Sequence, residues 1–407
     1  MRKQMFFLFC LSLVFPFCLS AQYFFTPPLL VPYVKDAPEI GSRAAVLIDA
    51  ETGALLYSKS PDEEISPASL TKLMTLHLIM REIEEGRASY DEIIPVTVES
   101  WAQSQPPRSS LMFLAPGQIV SLREIMLGLS VSSGNDAAVA LALRLAPSMD
   151  IFARMMTEEA RRMGMKVTRF TESSGISEYN MTTACEFAYF CSQYVKLHPY
   201  SLRDFHSVPV FSYPVAHNVP EIYRNNPRTI TQENRNNLLK TFPGVDGLKT
   251  GYIDESGYNI ALTAQRNDTR FIAVILGAPA EPIGARIRDE DGSRLLLWAF
   301  ENFKTVRTDV YLERERLWKG KENEVRLIIG ESADFTSPLD RANTLIYETV
   351  IPNPLIAPLP ASFPAGYLVI SDDYGELNRI PLITAYSYER GNIFKRLWHT
   401  ILLLFKK

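Results

Sequence analysis

The sequence is short of the residues that would staple it, span a bilayer with it or bind it to nucleic acid. Cysteine occurs four times in 407 residues, and Cys10 and Cys18 fall within the first 21. Cys185 and Cys191 lie six apart in a helix-like stretch, on different faces. No disulfide is expected between them, and both are expected as buried free thiols. A chain this long buries a sufficient core without such staples. No internal run of about 20 apolar residues exists, which excludes a multi-spanning helical membrane protein. Basic residues number 42 against 46 acidic, for a formal net charge of −4. That balance argues against nucleic acid as the main partner. The histidines are His77, His198, His206, His217 and His399. None forms a close-spaced pair such as H-E-x-x-H, so neither a metal nor a cofactor is expected. No fixed-period repeat and no low-complexity segment is present.

What remains is an ordinary globular composition, 46% apolar and 22% charged, at a length that suggests two or three domains. The ends depart from it. Met1-Arg2-Lys3-Gln4 precedes the apolar run Met5–Leu19 and then Ser20-Ala21, the layout of a secretory signal cleaved after Ala21. No Cys follows a small pair there, which argues against a lipoprotein signal. Residues 22–40 are rich in Pro and aromatics and read as an extended leader. At the other end, Ile393, Phe394, Leu397, Trp398, Ile401, Leu404 and Phe405 recur at helical spacing. Lys395, Arg396, His399, Thr400 and Lys406 fall opposite. This basic amphipathic helix over 391–407 is too short and charged to span a bilayer and suits its interface. The alternative is a helix docked on the protein's own core.

Between the ends, Ala44–Asp49 and Ala54–Ser58 read as a hairpin around Ala50–Gly53. A helix is predicted over Ala68–Glu85. Ser121–Glu124 is a capping box opening another, which breaks near Ser132-Ser133-Gly134 and resumes from Ala137 to Leu145. Residues 151–164 and 182–197 read as helices, and Gly247–Tyr252, Tyr258–Ala264 and Arg270–Gly277 as successive strands. A helix over Asp289–Asn302 closes this part. The pattern is an α+β domain over 41–306, an antiparallel sheet covered by helices, with the first hairpin joining the last three strands. A β-rich domain is expected over 307–388, with strands at Val325–Ile329, Leu345–Ile351, Tyr367–Ser371 and Arg379–Thr384 and a turn at Asp372–Gly375.

Three short motifs carry chemistry. In Ser69-Leu70-Thr71-Lys72, positions i and i+3 share a helix face. A serine hydroxyl needs a base to become a nucleophile, and a lysine serves when burial or nearby positive charge lowers its pKa. The helix start also offers N–H groups to an oxyanion. In Ser133-Gly134-Asn135, the helix break lets a hydroxyl and an amide project into a cleft, to relay a proton and to hold a carbonyl or the lysine. In Lys249-Thr250-Gly251, on a strand, ammonium and hydroxyl suit a carboxylate. Gly251 is expected to admit a substrate backbone, and the N–H of Tyr252 to join that of Ser69 as oxyanion donor. Each motif alone also reads blandly, as a surface pair, a helix junction or a strand end. In this order they resemble the set of penicillin-binding proteins and class A β-lactamases.

The resemblance is wider than the motifs. Pro67–Lys72, Ser110–Leu114, Asn234-Arg235-Asn236, Val245–Gly251, Gly257-Tyr258-Asn259 and the closing Gly391-Asn392 with its amphipathic helix are similar to low-molecular-mass penicillin-binding proteins. These are the D-alanyl-D-alanine carboxypeptidases of serine peptidase family S11. The resemblance implies Ser69 as the acylated nucleophile, Lys72 as its proton acceptor and Ser133 as an aid to proton transfer. It implies Asn135 as a substrate contact and Lys249 with Thr250 as the carboxylate-binding pair. Arg288 matches a family arginine that helps with that carboxylate, and Arg235 is a similar candidate. The implied substrates are peptidoglycan muropeptides ending in D-Ala-D-Ala, with β-lactam antibiotics as covalent inhibitors. The implied location is the outer face of the cytoplasmic membrane. One departure is visible: Tyr252 stands where some members have His. A β-lactamase is the first rival, but the Glu-x-x-Leu-Asn signature is missing between Asn135 and Lys249. A catalytically silent wall-binding protein is the second, and the intact motifs argue against it. An endopeptidase uses the same chemistry and is left open.

Overall fold

The computed structural model describes residues 37–405, apart from positions 309, 311, 331, 332 and 343. The expected signal segment and most of the leader lie outside the described residues.

The first strands are β1 (Ala44–Asp49) and β2 (Leu55–Lys59). A 3₁₀ turn over Ala68–Thr71 leads into α1 (Lys72–Glu84). The predicted helix therefore begins with a tighter turn, in which i and i+3 eclipse. Next come α2 (Leu122–Ser130), α3 (Asn135–Leu145), α4 (Met149–Arg162) and α5 (Ala184–Leu197). The capping box of α2 forms as expected, with Ser121 and Glu124 satisfying each other's backbone N–H groups. A hairpin that the sequence did not announce follows, β3 (Val210–Tyr213) with β4 (Ile230–Glu233). Its first strand is only four residues long, and although burial alternates along it, the apolar Val210 stands at an exposed position, so Val-Phe-Ser-Tyr does not alternate in sequence. After α6 (Leu238–Thr241) come β5 (Val245–Ile253), β6 (Gly257–Arg266) and β7 (Thr269–Ala278).

These strands form one antiparallel sheet in the order β2-β1-β7-β6-β5. The chain's first hairpin thus completes the sheet built by its last three strands, and β5 is left at an edge. One face packs on the helical layer through Val46, Ile48, Leu73, Met126, Leu141 and Phe187. The other packs on α7 (Gly284–Asn302) through Leu47, Leu262, Ile275, Leu295 and Leu296. Both faces being covered explains why β6 and β7 read as apolar runs rather than alternating ones. The last helix starts at Gly284, five residues before the expected Asp289, so Arg288 lies within it rather than ahead of it.

The remainder is a β-rich unit of β8 (Phe303–Val306), β9 (Glu315–Trp318), β10 (Glu324–Val325), β11 (Leu327–Ile329), β12 (Phe335–Pro338), β13 (Ile346–Val350), β14 (Leu355–Ile356), β15 (Pro364–Asp372) and β16 (Gly375–Thr384). The single strand expected at Val325–Ile329 is split at Arg326, and its halves join different sheets. The unit has its own core around Leu317, Leu368, Ile370 and Leu382. Asp49, buried at the end of β1, accepts bonds from Thr305 Oγ1 (2.7 Å) and Thr336 Oγ1 (2.9 Å) and from the N–H groups of Glu51 and Thr52. One carboxylate therefore ties the catalytic-motif sheet to the β-rich unit.

The closing helix α8 (Ile393–Leu404) is capped by Asn392. Its polar side docks: the Lys319 N–H donates to His399 Nδ1 (2.8 Å), and Lys395 Nζ donates to Lys321 O (2.8 Å). Its apolar side is bare, with Phe394 80% and Leu404 76% exposed. The two readings of this segment are thus not exclusive. Among the described residues no helix is long and apolar enough to cross a membrane.

Cys185 and Cys191 are free thiols. Cys191 is buried as expected, whereas Cys185 is only half-buried. His77 is fully packed, between His198 (2.8 Å) and Glu159 (2.7 Å).

Candidate active site

The 3₁₀ turn eclipses Ser69 and Lys72 and brings Lys72 Nζ to 2.8 Å from Ser69 Oγ. Ala68 at its start takes a left-handed backbone, φ +49°. Lys72 is buried, and its amine has two further neighbours, Asn135 Oδ1 at 2.8 Å and Ser174 O at 2.5 Å. Both are pure acceptors. A neutral amine must give them its two N–H groups, which leaves its lone pair facing the Ser69 hydroxyl. Burial pulls the Lys72 ammonium down to about 7; the Glu172 carboxylate opposes the shift and Arg235 adds to it. Neutral lysine is therefore accessible near neutral pH.

Asn135, the first residue of α3, is held from its other side. Its Nδ2 donates to Ser109 Oγ (3.1 Å) and its N–H to Ser110 O (2.7 Å). Ser133, in the α2–α3 break, is buried and has φ +58°. Its hydroxyl makes no hydrogen bond among the described residues, to Ser69 or otherwise. Strained backbone of this kind persists only where the surroundings over-determine it.

Lys249 is buried on β5, where its Nζ donates to Thr250 O (3.0 Å) and not to Ser69. Burial, with Lys72, Arg235 and Arg288 adding, holds its ammonium well below the ordinary lysine value. Four cationic side chains thus crowd one pocket. Arg288 pairs with Asp289 (2.7 Å). Arg235 has no hydrogen bond or ion pair among the described residues. Tyr252 follows at the rim, partly exposed, against Tyr258 (ring centroids 4.3 Å apart) and with its hydroxyl donating to Asp254 Oδ1 (2.5 Å).

Gly251 has a packing role that the sequence did not announce. A Cβ there would lie 2.8 Å from Pro67 O and 2.9 Å from Ser69 N. The glycine is needed for β5 to pack against the turn that carries Ser69.

Sequence reasoning missed the parts that hold these groups in place. Asp136, buried beside Asn135, accepts from the N–H groups of Met112, Phe113 and Leu114 (2.8–3.0 Å) and so fixes the Ser110–Leu114 segment. Glu172 accepts from Ser174 N and Oγ (both 2.6 Å), Gly175 N (2.7 Å) and Asn180 Nδ2 (2.8 Å). This folds residues 172–175 over α1, where Thr75 Oγ1 donates to Ser173 O (2.8 Å). Glu172 is occupied by donors and acts by positioning Ser174 O on Lys72. Asn259 joins β6 to the approach to Ser69, through Ser66 O (3.0 Å) and the Gly277 N–H (2.8 Å). His206 donates from Nδ1 to Leu248 O (3.1 Å) while its Nε2 accepts from Tyr194 OH (2.8 Å). Burial pushes that ring down to about 3, so it stays neutral in this tautomer. The signal that could have found Glu172 is an acid directly ahead of Ser173-Ser174-Gly175, a loop with few other ways to satisfy its N–H groups.

The model of the D-alanyl-D-alanine carboxypeptidase family matches residues 32–280. The chain belongs to this family of serine peptidases. A second model, the penicillin-binding protein 5 C-terminal domain, matches residues 300–390 of this carboxypeptidase. It is 32% identical over 383 residues to D-alanyl-D-alanine carboxypeptidase DacC of Escherichia coli, covering 91% of this chain and 90% of that one. It is 33% identical over 383 residues to DacD of the same organism, covering 90% and 92%. The solved structure of penicillin-binding protein 5 from Haemophilus influenzae superposes with a TM-score of 0.79 at 27% identity, covering 88% of this carboxypeptidase and 100% of that chain. The fold expectation of an α+β penicillin-binding domain with a β-rich domain behind it therefore holds.

Proposed function

We propose that the protein removes the terminal D-alanine from peptidoglycan stem peptides ending in D-Ala-D-Ala, through an acyl-enzyme on Ser69, and that penicillin acylates the same oxygen. The observation that carries this reading is the Lys72 amine, whose two N–H groups are spoken for by Asn135 Oδ1 and Ser174 O and whose third neighbour is Ser69 Oγ.

The substrate lies along β5, whose outer edge offers unpaired backbone groups to an added strand. Its terminal carboxylate meets Lys249, Thr250 and Arg235, with Arg288 behind, and recharges Lys249 on arrival. Ser69 Oγ attacks the penultimate carbonyl carbon as Lys72 takes the hydroxyl proton. The N–H groups of Ser69 and Tyr252 receive the oxyanion. As the C–N bond breaks, Ser133 gives its proton to the departing D-alanine amine and takes in exchange the one that Lys72 received from Ser69, which leaves both groups as they began. Water then cleaves the ester and restores Ser69.

Labelled penicillin should be recovered on the single peptide that contains Ser69, and a pentapeptide substrate should yield one equivalent of D-alanine. Label on another peptide rejects the assignment.

The protein works outside the cytoplasm, held to the membrane surface by α8. Its bare apolar side supports this, because the docked polar side leaves those aromatics facing outward. Deleting residues 392–407 is expected to move an active enzyme from the membrane fraction to the soluble one. Unchanged fractionation counts against the anchor.

A further inference from the structure

His77 takes no part in the proposed catalysis, yet it belongs to a line of four side chains that crosses the helical layer. Glu159 on α4 meets His77 Nε2 (2.7 Å), and His77 Nδ1 meets Nε2 of His198, the residue that caps α5 (2.8 Å). His198 Nδ1 then meets Glu84, the last residue of α1 (2.6 Å). Both rings are buried. Three helices are thus joined by three hydrogen bonds in series.

Each bond needs one proton between its heavy atoms, and the protons can be counted from one end. Glu159 also accepts from Arg162 (2.6 and 2.8 Å) and from Arg81 (3.0 Å), so it is a carboxylate. The proton facing it belongs to His77 Nε2. If His77 is neutral, its Nδ1 accepts a proton carried by His198 Nε2. Two neutral imidazoles are then used up, and a lone pair on His198 Nδ1 stands 2.6 Å from a carboxylate oxygen. Two bare acceptors do not approach so closely, so a third proton lies between them. If His77 is instead an imidazolium, the direction of the middle bond reverses and the count is again three. The line therefore holds one proton more than two neutral imidazoles and two carboxylates supply.

The surroundings favour that proton. Glu84 ends α1, where the last carbonyls repel an anion, and Glu85 follows it. Burial raises the Glu84 carboxyl, with Arg81 opposing. Burial also lowers both rings, His198 to about 3 with His77 adding to the shift. Arg81 from α1 and Arg162 from α4 are turned to Glu159. From α5 comes the Tyr194 ring, against His198 (centroids 5.2 Å apart), with His206 beyond it on the Tyr194 hydroxyl (2.8 Å).

We infer that Glu84, His198 and His77 hold one extra proton as a lock between α1, α4 and α5, and that its loss at alkaline pH frees Glu84 and loosens the end of α1 remote from Lys72. The Glu84 side chain is 49% exposed, so the proton leaves from its end of the line. Unfolded, the glutamate is ionised above about pH 5. The folded chain then keeps a proton that the unfolded chain does not. The stability this supplies is complete in acid, below the unfolded carboxyl value, and is lost as pH rises through the value of the lock.

Urea unfolding of the full-length protein and of Glu84→Gln and Glu84→Ala, at about pH 5.5, 7 and 8.5, tests the lock. The glutamine amide offers His198 Nδ1 a hydrogen at every pH, and alanine offers none. The unfolding constant of the unmutated protein, relative to that of Glu84→Gln, should rise by up to about tenfold per pH unit while the proton is held, and by at least about tenfold over the whole range. The unmutated protein should match the glutamine variant at the acid end and fall to the level of the alanine variant at the alkaline end. A ratio constant within about twofold overturns the lock, as does a glutamine variant less stable than the unmutated protein at the alkaline end.

Discussion

With Lys72 replaced by methionine, penicillin acylation of Ser69 is expected to fall by ~10⁴-fold or more, while the protein stays folded. A well-placed general base contributes about 10²–10⁴-fold, and removing one member of a nucleophile–base pair costs nearly as much as removing both. Methionine keeps the volume and apolar stem in a buried site and takes away the amine, and with it the base. It also leaves Asn135 Oδ1 and Ser174 O without their shared donor, so a loss of thermal stability of about 1–3 kcal/mol should accompany the kinetic loss. In the unmutated protein the sign of the pH dependence follows from the depressed amine. Below about 7 the lysine carries a proton and cannot accept another. Acylation should therefore rise with pH through an apparent pKa near 7 and level off above it. A methionine variant that acylates within tenfold of the original rate would remove Lys72 from the mechanism.

Gly175→Ala is expected to be strongly damaging as well, although residue 175 touches no reacting atom. Its φ is +81°, and a Cβ there would lie 1.8 Å from Ala68 O and 2.8 Å from Ser69 N. Neither atom is the end of a flexible side chain. The loop must lift, carrying Ser174 O away from Lys72, or the 3₁₀ turn must move and shift Ser69. A displacement near 1 Å at a reacting group can cost about 10²-fold. Adding the left-handed strain of about 1–2 kcal/mol, we expect at least a ~100-fold loss of acylation rate and a lowered melting temperature with the secondary structure intact. Stopped-flow acylation beside circular dichroism checks both, and a rate within threefold would show that the loop tolerates the methyl group.

How much of the molecule is legible in its sequence depends on the range of the interactions. The hairpin at Ala44–Lys59 and the strands from Val245 to Ala278 announce themselves through apolar runs and turn residues, both local signals. The ordered Ser-x-x-Lys, Ser-x-Asn and Lys-Thr-Gly motifs point to the pocket because each carries its reactive groups within three residues. The supports do not announce themselves. Glu172, Asp136 and Asn259 hold backbone N–H and C=O groups of segments 2 to 193 residues away, and such pairing leaves no periodic trace. The packing role of Gly251 is hidden for the same reason: its tight neighbour is Pro67–Ser69, far away in sequence. Arg288 reads as lying ahead of its helix because Gly284 and Pro282 look like loop residues when the sheet beneath them is unknown.

The carboxylate of Asp49 has a thermodynamic consequence of its own. It sits in the first strand of the central sheet, yet two of its four donors, Thr305 and Thr336, belong to strands of the β-rich unit. If that unit melted alone, a desolvated anion in the surviving half would lose both of them. The penalty for losing one end is thus charged to the other, so melting in either half is resisted by both. The seam makes the pair cooperative where sequence and sheet order alone would have allowed two independent transitions.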